Sequence, residues 1–211
     1  MTMGTSRTRR SISAAAAVLA SAVLALASAP PRDVVVRTTD AVIAILKDPE
    51  TSKDTKRARI EEVVYANVDF DTLTRLVMAR NWRRLSPAQQ MEFRNEFKRH
   101  LSVTYGNNID SYRNEGVEVV GEREEARGDR TVLTRVVRRD GGTNDILVDY
   151  RLRQTDGEWR IIDVIVEGVS MVANFRSQFQ DIVAGGSPEK LIVLLREKNQ
   201  KGEAIITPTT P

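Results

Sequence analysis

The side chains able to carry chemistry are few in this chain. Its one histidine, His100, stands between Arg99 and Leu101. A lone imidazole acts as a general base where an acid orients it. No motif places an acid beside this one, so the simpler reading is a partly buried or surface helix residue. Asp163 and Glu167 stand four apart, which on a strand puts both on one face. Such a carboxylate pair can divide acid and base roles; a surface-facing or hydrogen-bonded pair is the simpler reading. Asp69 and Asp71 read first as helix caps. Cysteine is absent, which excludes disulfides, thiol catalysis and thiolate metal sites. A single histidine excludes a multi-histidine metal site. The chain has no G-x-S-x-G, H-E-x-x-H, P-loop or Gly-rich dinucleotide turn. No catalytic residue, metal or cofactor is assigned.

Charge narrows the classes further. The chain carries 32 Lys+Arg against 29 Asp+Glu. Three of the positives are Arg7, Arg9 and Arg10, and the first 29 residues contain no acid. The 32 basic residues less these 3 leave 29, equal to the acidic count. A neutral body argues against nucleic acid, whose binding needs clustered positive charge. Aromatic residues make up 5% of the chain, a low share that weakens sugar and single-strand nucleic-acid readers, which need stacking platforms. Two charge-rich runs, Glu122 to Arg130 and Arg135 to Arg139, read as a solvated hairpin whose arginines could also meet a phosphate.

The basic residues at the start head an apolar, Ala-rich run from Ile12 to Leu26. Ala25-Leu26-Ala27 and Ala27-Ser28-Ala29 both fit an A-x-A cleavage pattern. Residues 1–29 are expected to be a signal peptide, cut after Ala27 or Ala29. Residues 30–200 would then form one domain and 201–211 a disordered tail.

The elements that must position these side chains follow from periodicity. Pro31 to Leu46 has helical spacing and ends at Asp48-Pro49. Arg57 to Asn67 predicts a second helix, and Phe70, Leu73, Leu76 and Val77 a third. Ser86-Pro87-Ala88-Gln89 is a capping-box start. The long helix behind it, running toward Tyr112, repeats Phe93, Phe97, Leu101, Tyr105 and Ile109 every four residues. That broad stripe suits a helix laid over a curved sheet.

The second half changes period. Strands are predicted around Val117–Val120, Thr131–Arg138, Ile146–Arg153 and Trp159–Val166, with tight turns at Asp140-Gly141-Gly142 and Asp156-Gly157. In the last strand Ile162, Val164 and Val166 would share one face and Trp159, Ile161 and Ile165 the other. Two helices follow, one through Met171, Phe175 and Phe179 to Gly185-Gly186, the other from Ser187-Pro188. The expected class is α+β: an antiparallel four-stranded sheet packed with several helices.

One block is specific. Trp159-Arg160-Ile161-Ile162-Asp163-Val164-Ile165-Val166-Glu167-Gly168-Val169-Ser170, then Asn174-Phe175-Arg176-Ser177-Gln178-Phe179, resembles the signature of the MlaC family, the toluene-tolerance or ABC-transporter auxiliary family. Val68-Asp69-Phe70-Asp71, Trp82, Leu85-Ser86-Pro87, Phe93, Phe97 and Thr104-Tyr105 follow the same order. The resemblance spans about Pro31 to Lys198. It departs from the family pattern at Ala173 and Met171. It implies an exported periplasmic protein that carries phospholipid as cargo and is no enzyme. The implied partners are an inner-membrane ABC transporter with its lipid-binding partner ring and an outer-membrane lipoprotein–porin complex. Alternatives are a hopanoid or other lipid carrier of the same family, a small cone-fold hydrolase or isomerase, and an adaptor with a solid core.

A lipid carrier needs a cavity. Two acyl chains hold about 30 methylenes, each costing about 0.8 kcal/mol in water, so roughly 20 kcal/mol or more opposes free diffusion. An apolar cavity is expected between the sheet and the long helix, with the headgroup near its mouth. The expected lining is Phe97, Leu101, Tyr105, Ile146, Val148, Tyr150, Ile162, Val164, Val166, Val169, Met171 and Phe175.

Overall fold

A computed structural model describes residues 28–106, 112, 114–138 and 145–205 of the chain. The expected signal peptide lies outside these residues except for Ser28 and Ala29. So do the Asp140-Gly141-Gly142 turn and the stretch beyond Gly106 where the long helix was expected to continue.

Capping residues set where the helices begin. Helix α1 (Pro31–Lys47) has Pro in its first turn and stops at Asp48. Helix α2 (Lys53–Asn67) starts four residues before Arg57, because the Ser52 hydroxyl accepts the Thr55 N–H at 3.3 Å. Helix α3 (Phe70–Met78) is capped by Asp69. A 3-10 turn (Ala79–Arg84) leads to α4 (Pro87–Tyr105), which opens with the full capping box. Ser86 N–H donates to Gln89 Oε1 at 2.8 Å, and Gln89 N–H to Ser86 Oγ at 3.3 Å. Helix α5 (Met171–Ala184) is capped by Ser170, and α6 (Pro188–Lys201) ends on left-handed Gly202.

The sheet is an antiparallel meander in the order β1 (Gly116–Glu124), β2 (Arg130–Val137), β3 (Ile146–Thr155), β4 (Glu158–Val166), β5 (Val169–Ser170). Among the described residues it has five strands where four were expected. The fifth is a two-residue return, made by Glu167-Gly168 with φ of 49° and 78°. Two successive positive φ values reverse a chain tightly enough to pair the flanking residues, here Val166 with Val169.

A bulge in β4 corrects the expected faces. Tyr150 pairs with Val164 and Arg151 with Asp163, but Leu152 pairs with Ile161. Ile162 is the extra residue, and it reverses the side-chain alternation along the strand. Ile161 therefore shares a face with Val164, contrary to strict alternation. That face packs on α1 through Val34, Val35, Val132, Leu152 and Ile161.

The second cluster is helical. Phe93 and Phe97 of α4 meet Phe175 and Phe179 of α5, and Leu191, Ile192 and Leu195 of α6 pack with them. Phe97 and Phe175 are edge-to-face at 5.0 Å, the favoured arrangement for aromatic pairs. Helix α4 thus rests on α5 and α6 and is not laid on the sheet. The faces of α5 and α6, remote in sequence, fill its stripe, while α1 takes the sheet. Residues 202–205, assigned by composition to the loose tail, are held against the domain. Glu203 N–H donates to Lys198 O at 2.9 Å, and Ile205 packs on the helical cluster. Residues beyond Ile205 lie outside the described residues.

Candidate functional site: two apolar cavities

Where α4 would have met the sheet, the protein is hollow. Cavity one, about 240 Å³, lies among α2, α3, α4, α5 and β4. Cavity two, about 410 Å³, lies between α1 and α2 on one side and the sheet on the other. Val64, Val68, Ile161 and Val164 line both. The bulge at Ile162 is what brings Ile161 and Val164 to this shared wall. Each cavity exceeds the roughly 150 Å³ that accommodates a benzene ring.

The hollow accounts for an oddity of α2. Ile60 and Val64 sit on its inner side, yet none of its residues is fully buried. In α1 the N-terminal Val34 and Val35 are packed, while Val42, Ile43 and Leu46 are only partly covered and line cavity two. Tyr150 reports the same void. Burial pushes its phenol up to about 12, yet its ring keeps accessible surface, which faces cavity two.

Polar groups on the walls are mostly engaged. Thr38 and Thr39 donate their hydroxyls to Val34 O and Val35 O, at 2.7 Å and 3.0 Å. Ser102 donates to Glu61. Arg57, Glu61, Lys98 and Ser102 give cavity one a polar side. Lys98 Nζ sits 3.4 Å from the centre of the Tyr65 ring and 5.2 Å from that of Phe70, a cation–π seat. Burial raises the Tyr65 phenol, with Glu61 adding to the effect, and burial alone raises that of Tyr105.

Of the residues expected to line a cavity, Phe97, Leu101, Tyr105, Val164, Met171 and Phe175 line cavity one. Ile146, Tyr150 and Val164 line cavity two. Val148, Ile162, Val166 and Val169 line neither. Ile162 is the buried bulge residue. Val166 pairs with Val148 on one side and Val169 on the other, and Val169 is half exposed. Sequence reasoning missed the walls from α1, α2 and α3, including Val42, Leu46, Ile60 and Leu73. Their helical apolar spacing was visible, but spacing does not say whether a face meets a partner or a void.

The acid–base candidates are structural. His100 is fully buried, which corrects the reading as a partly buried or surface residue. It lies between α4 and α6, off both cavity walls. Its Nδ1 is 3.0 Å from Asn199 Oδ1, and its Nε2 accepts the Ile205 N–H at 3.1 Å. Burial lowers its pKa, with the Asn199 hydrogen bond opposing. Asp163 and Glu167 do not form a pair, since β4 ends at Val166. Asp163 accepts from Ser170 Oγ at 2.5 Å, Val172 N–H at 3.0 Å and Arg151 at 3.1 Å. Glu167 accepts the Leu147 N–H at 2.5 Å. Burial would raise the Asp69 carboxyl, but hydrogen bonds from Thr72 and Thr155 outweigh it and hold the pKa low. Asp71 pairs with Arg94.

Comparison with known proteins agrees with this arrangement. The family described as MlaC protein matches residues 36–197. Toluene tolerance protein ttg2D of Pseudomonas putida is 32% identical over 165 residues, 75% of each chain. Among solved structures, the phospholipid-binding protein of Ralstonia solanacearum, determined in complex with a phospholipid, superposes with a TM-score of 0.73. It is 24% identical, and the match covers 82% of this chain and 99% of that one.

Proposed function

This chain belongs to the MlaC protein family, and from that premise we propose that it is a periplasmic phospholipid carrier that catalyses no reaction. The observation that carries the reading is the pair of apolar cavities meeting along Val64, Val68, Ile161 and Val164. Two lobes divided by one aliphatic wall suit two flexible chains leaving one glycerol better than a rigid polycyclic lipid. The Ralstonia relative, solved with a phospholipid, supports the same cargo.

The physical role is substitution of solvent. Apolar walls replace water around the acyl chains and remove most of the roughly 20 kcal/mol that opposes their passage through an aqueous space. Arg57 and Lys98, on the polar side of cavity one, would meet the headgroup phosphate, where a cation and its hydrogen bonds favour an anion. Nothing in this scheme needs a nucleophile. Asp163, a buried acid on the wall of cavity one, has its oxygens engaged by the first turn of α5, Ser170 and Arg151.

The carrier would be exported by a signal peptide in residues 1–29. It would exchange lipid between an outer-membrane lipoprotein–porin complex and an inner-membrane ABC transporter with its lipid-binding ring. The test is solvent extraction of protein purified from its own periplasm, read by mass spectrometry. Diacyl phospholipid near one molecule per chain is expected. Empty protein that also takes up no lipid from vesicles would overturn the proposal.

A further inference from the structure

The segment from Thr72 to Met91 holds four arginines, Arg75, Arg80, Arg83 and Arg84, and no acid in twenty residues. Elsewhere arginines are commonly paired: Arg94 with Asp71, Arg151 with Asp163, Arg153 with Asp129. Among the described residues, none of these four is in an ion pair with a carboxylate. The guanidinium of Arg84 donates to the Asn81 side-chain Oδ1 at 3.0 Å, and its charge acts on the Glu189 carboxylate of α6 without closing an ion pair. All four side chains are exposed.

The fold gathers two of them around a cleft. Arg80, Asn81 and Arg84 form one wall and Gln180, Val183 and Ala184 of α5 the other, around about 320 Å³. Arg176, one helical turn before Gln180, donates its Nε–H to Leu76 O at 2.8 Å and ties α5 to the end of α3. Backbone strain helps shape the cleft. Ala79, just before Arg80, has φ 48° and ψ −124°, a conformation that L residues with a Cβ avoid. It turns the chain so that the 3-10 segment brings Arg80 and Arg84 to one side. The cleft shares no lining residue with either cavity.

We propose that this cleft is a docking site for an acidic peptide segment of a protein partner, whose carboxylates are taken by Arg80 and Arg84. Planar guanidinium groups match carboxylates with two parallel hydrogen bonds, and Asn81 and Gln180 offer amide groups beside them. A concave cleft between two helical elements admits a chain segment but not a flat bilayer. The inference does not depend on lipid in the cavities.

The experiment measures binding of a fluorescein-labelled hexaglutamate peptide to the purified mature protein by anisotropy, at low and physiological salt. Binding that weakens with salt is expected. It should fall at least tenfold in Arg80→Glu and in Arg84→Glu and stay unchanged in Arg37→Glu, a control on the exposed side of α1. Thermal unfolding checks that the variants fold; Arg80→Gln and Arg84→Gln replace any that do not. No binding, or equal loss in Arg37→Glu, would overturn the proposal. So would a larger loss of phosphatidylglycerol-vesicle binding than of peptide binding in Arg80→Glu and Arg84→Glu, or displacement of the peptide by inorganic phosphate at equal charge concentration.

Discussion

His100 and Asn199 meet at 3.0 Å in the closed interior between α4 and α6. Asn199 also donates to Glu96 O at 2.9 Å and Glu96 Oε2 at 2.8 Å. With Nε2 accepting from Ile205, the ring must stay neutral: Nδ1 donates, Nε2 accepts. Burial lowers the His100 pKa from its ordinary 6.5. The unfolded chain therefore binds this proton first, and stability falls as pH drops below about 6.5 toward the folded value. Denaturant titrations between about pH 8 and pH 5 should show that decline. A His100→Gln variant should flatten it. An unchanged pH profile in that variant would count against the assignment.

Asp163 joins β4 to the first turn of α5, and both elements line cavity one. Asp163→Ala strands Arg151 and leaves the Val172 N–H without its acceptor. Losing one partner of a buried pair costs about 3–5 kcal/mol, here toward the lower end because Arg151 is 31% exposed. Urea unfolding measures it, and a loss below 1 kcal/mol would contradict the role given to Asp163.

Filling the shared wall separates cargo binding from stability. Val64→Phe places a ring in space that is empty without lipid. Extracted phospholipid should fall severalfold while stability holds or rises, since no packed neighbour is displaced. Phe97→Ala, by contrast, deletes a ring that packs on Phe93, Phe175 and Phe179. It should cost about 3–5 kcal/mol. Full lipid occupancy in Val64→Phe would remove the wall from the binding path.

Ala79 carries strain that glycine would not. Its φ of 48° lies where a Cβ is disfavoured, and the relief on Ala79→Gly exceeds the entropy glycine loses on folding. A gain of about 1 kcal/mol is expected by denaturant unfolding. Destabilisation would mean that the backbone there is less strained than its dihedrals indicate.

Much of this protein is local, and the local part is legible in the chain. The Ser86-Gln89 box, the Asp69 cap, the Asp156-Gly157 turn and the α+β order of elements follow from residues within a few positions of one another. The site is another matter. The walls from α1 and α2 could be seen as apolar faces, but a face that meets side chains and one that meets a void have the same spacing. The shared wall needed a bulge at Ile162, and one extra residue leaves no mark on a strand that is apolar on both faces. His100 became a buried, hydrogen-bonded residue only because Asn199, 99 residues away, arrives with α6. Propensity, capping and turn chemistry act between neighbours, so the sequence by itself determined the elements and their order. Burial, register and empty space arise between segments distant in the chain, and only the tertiary structure decided those.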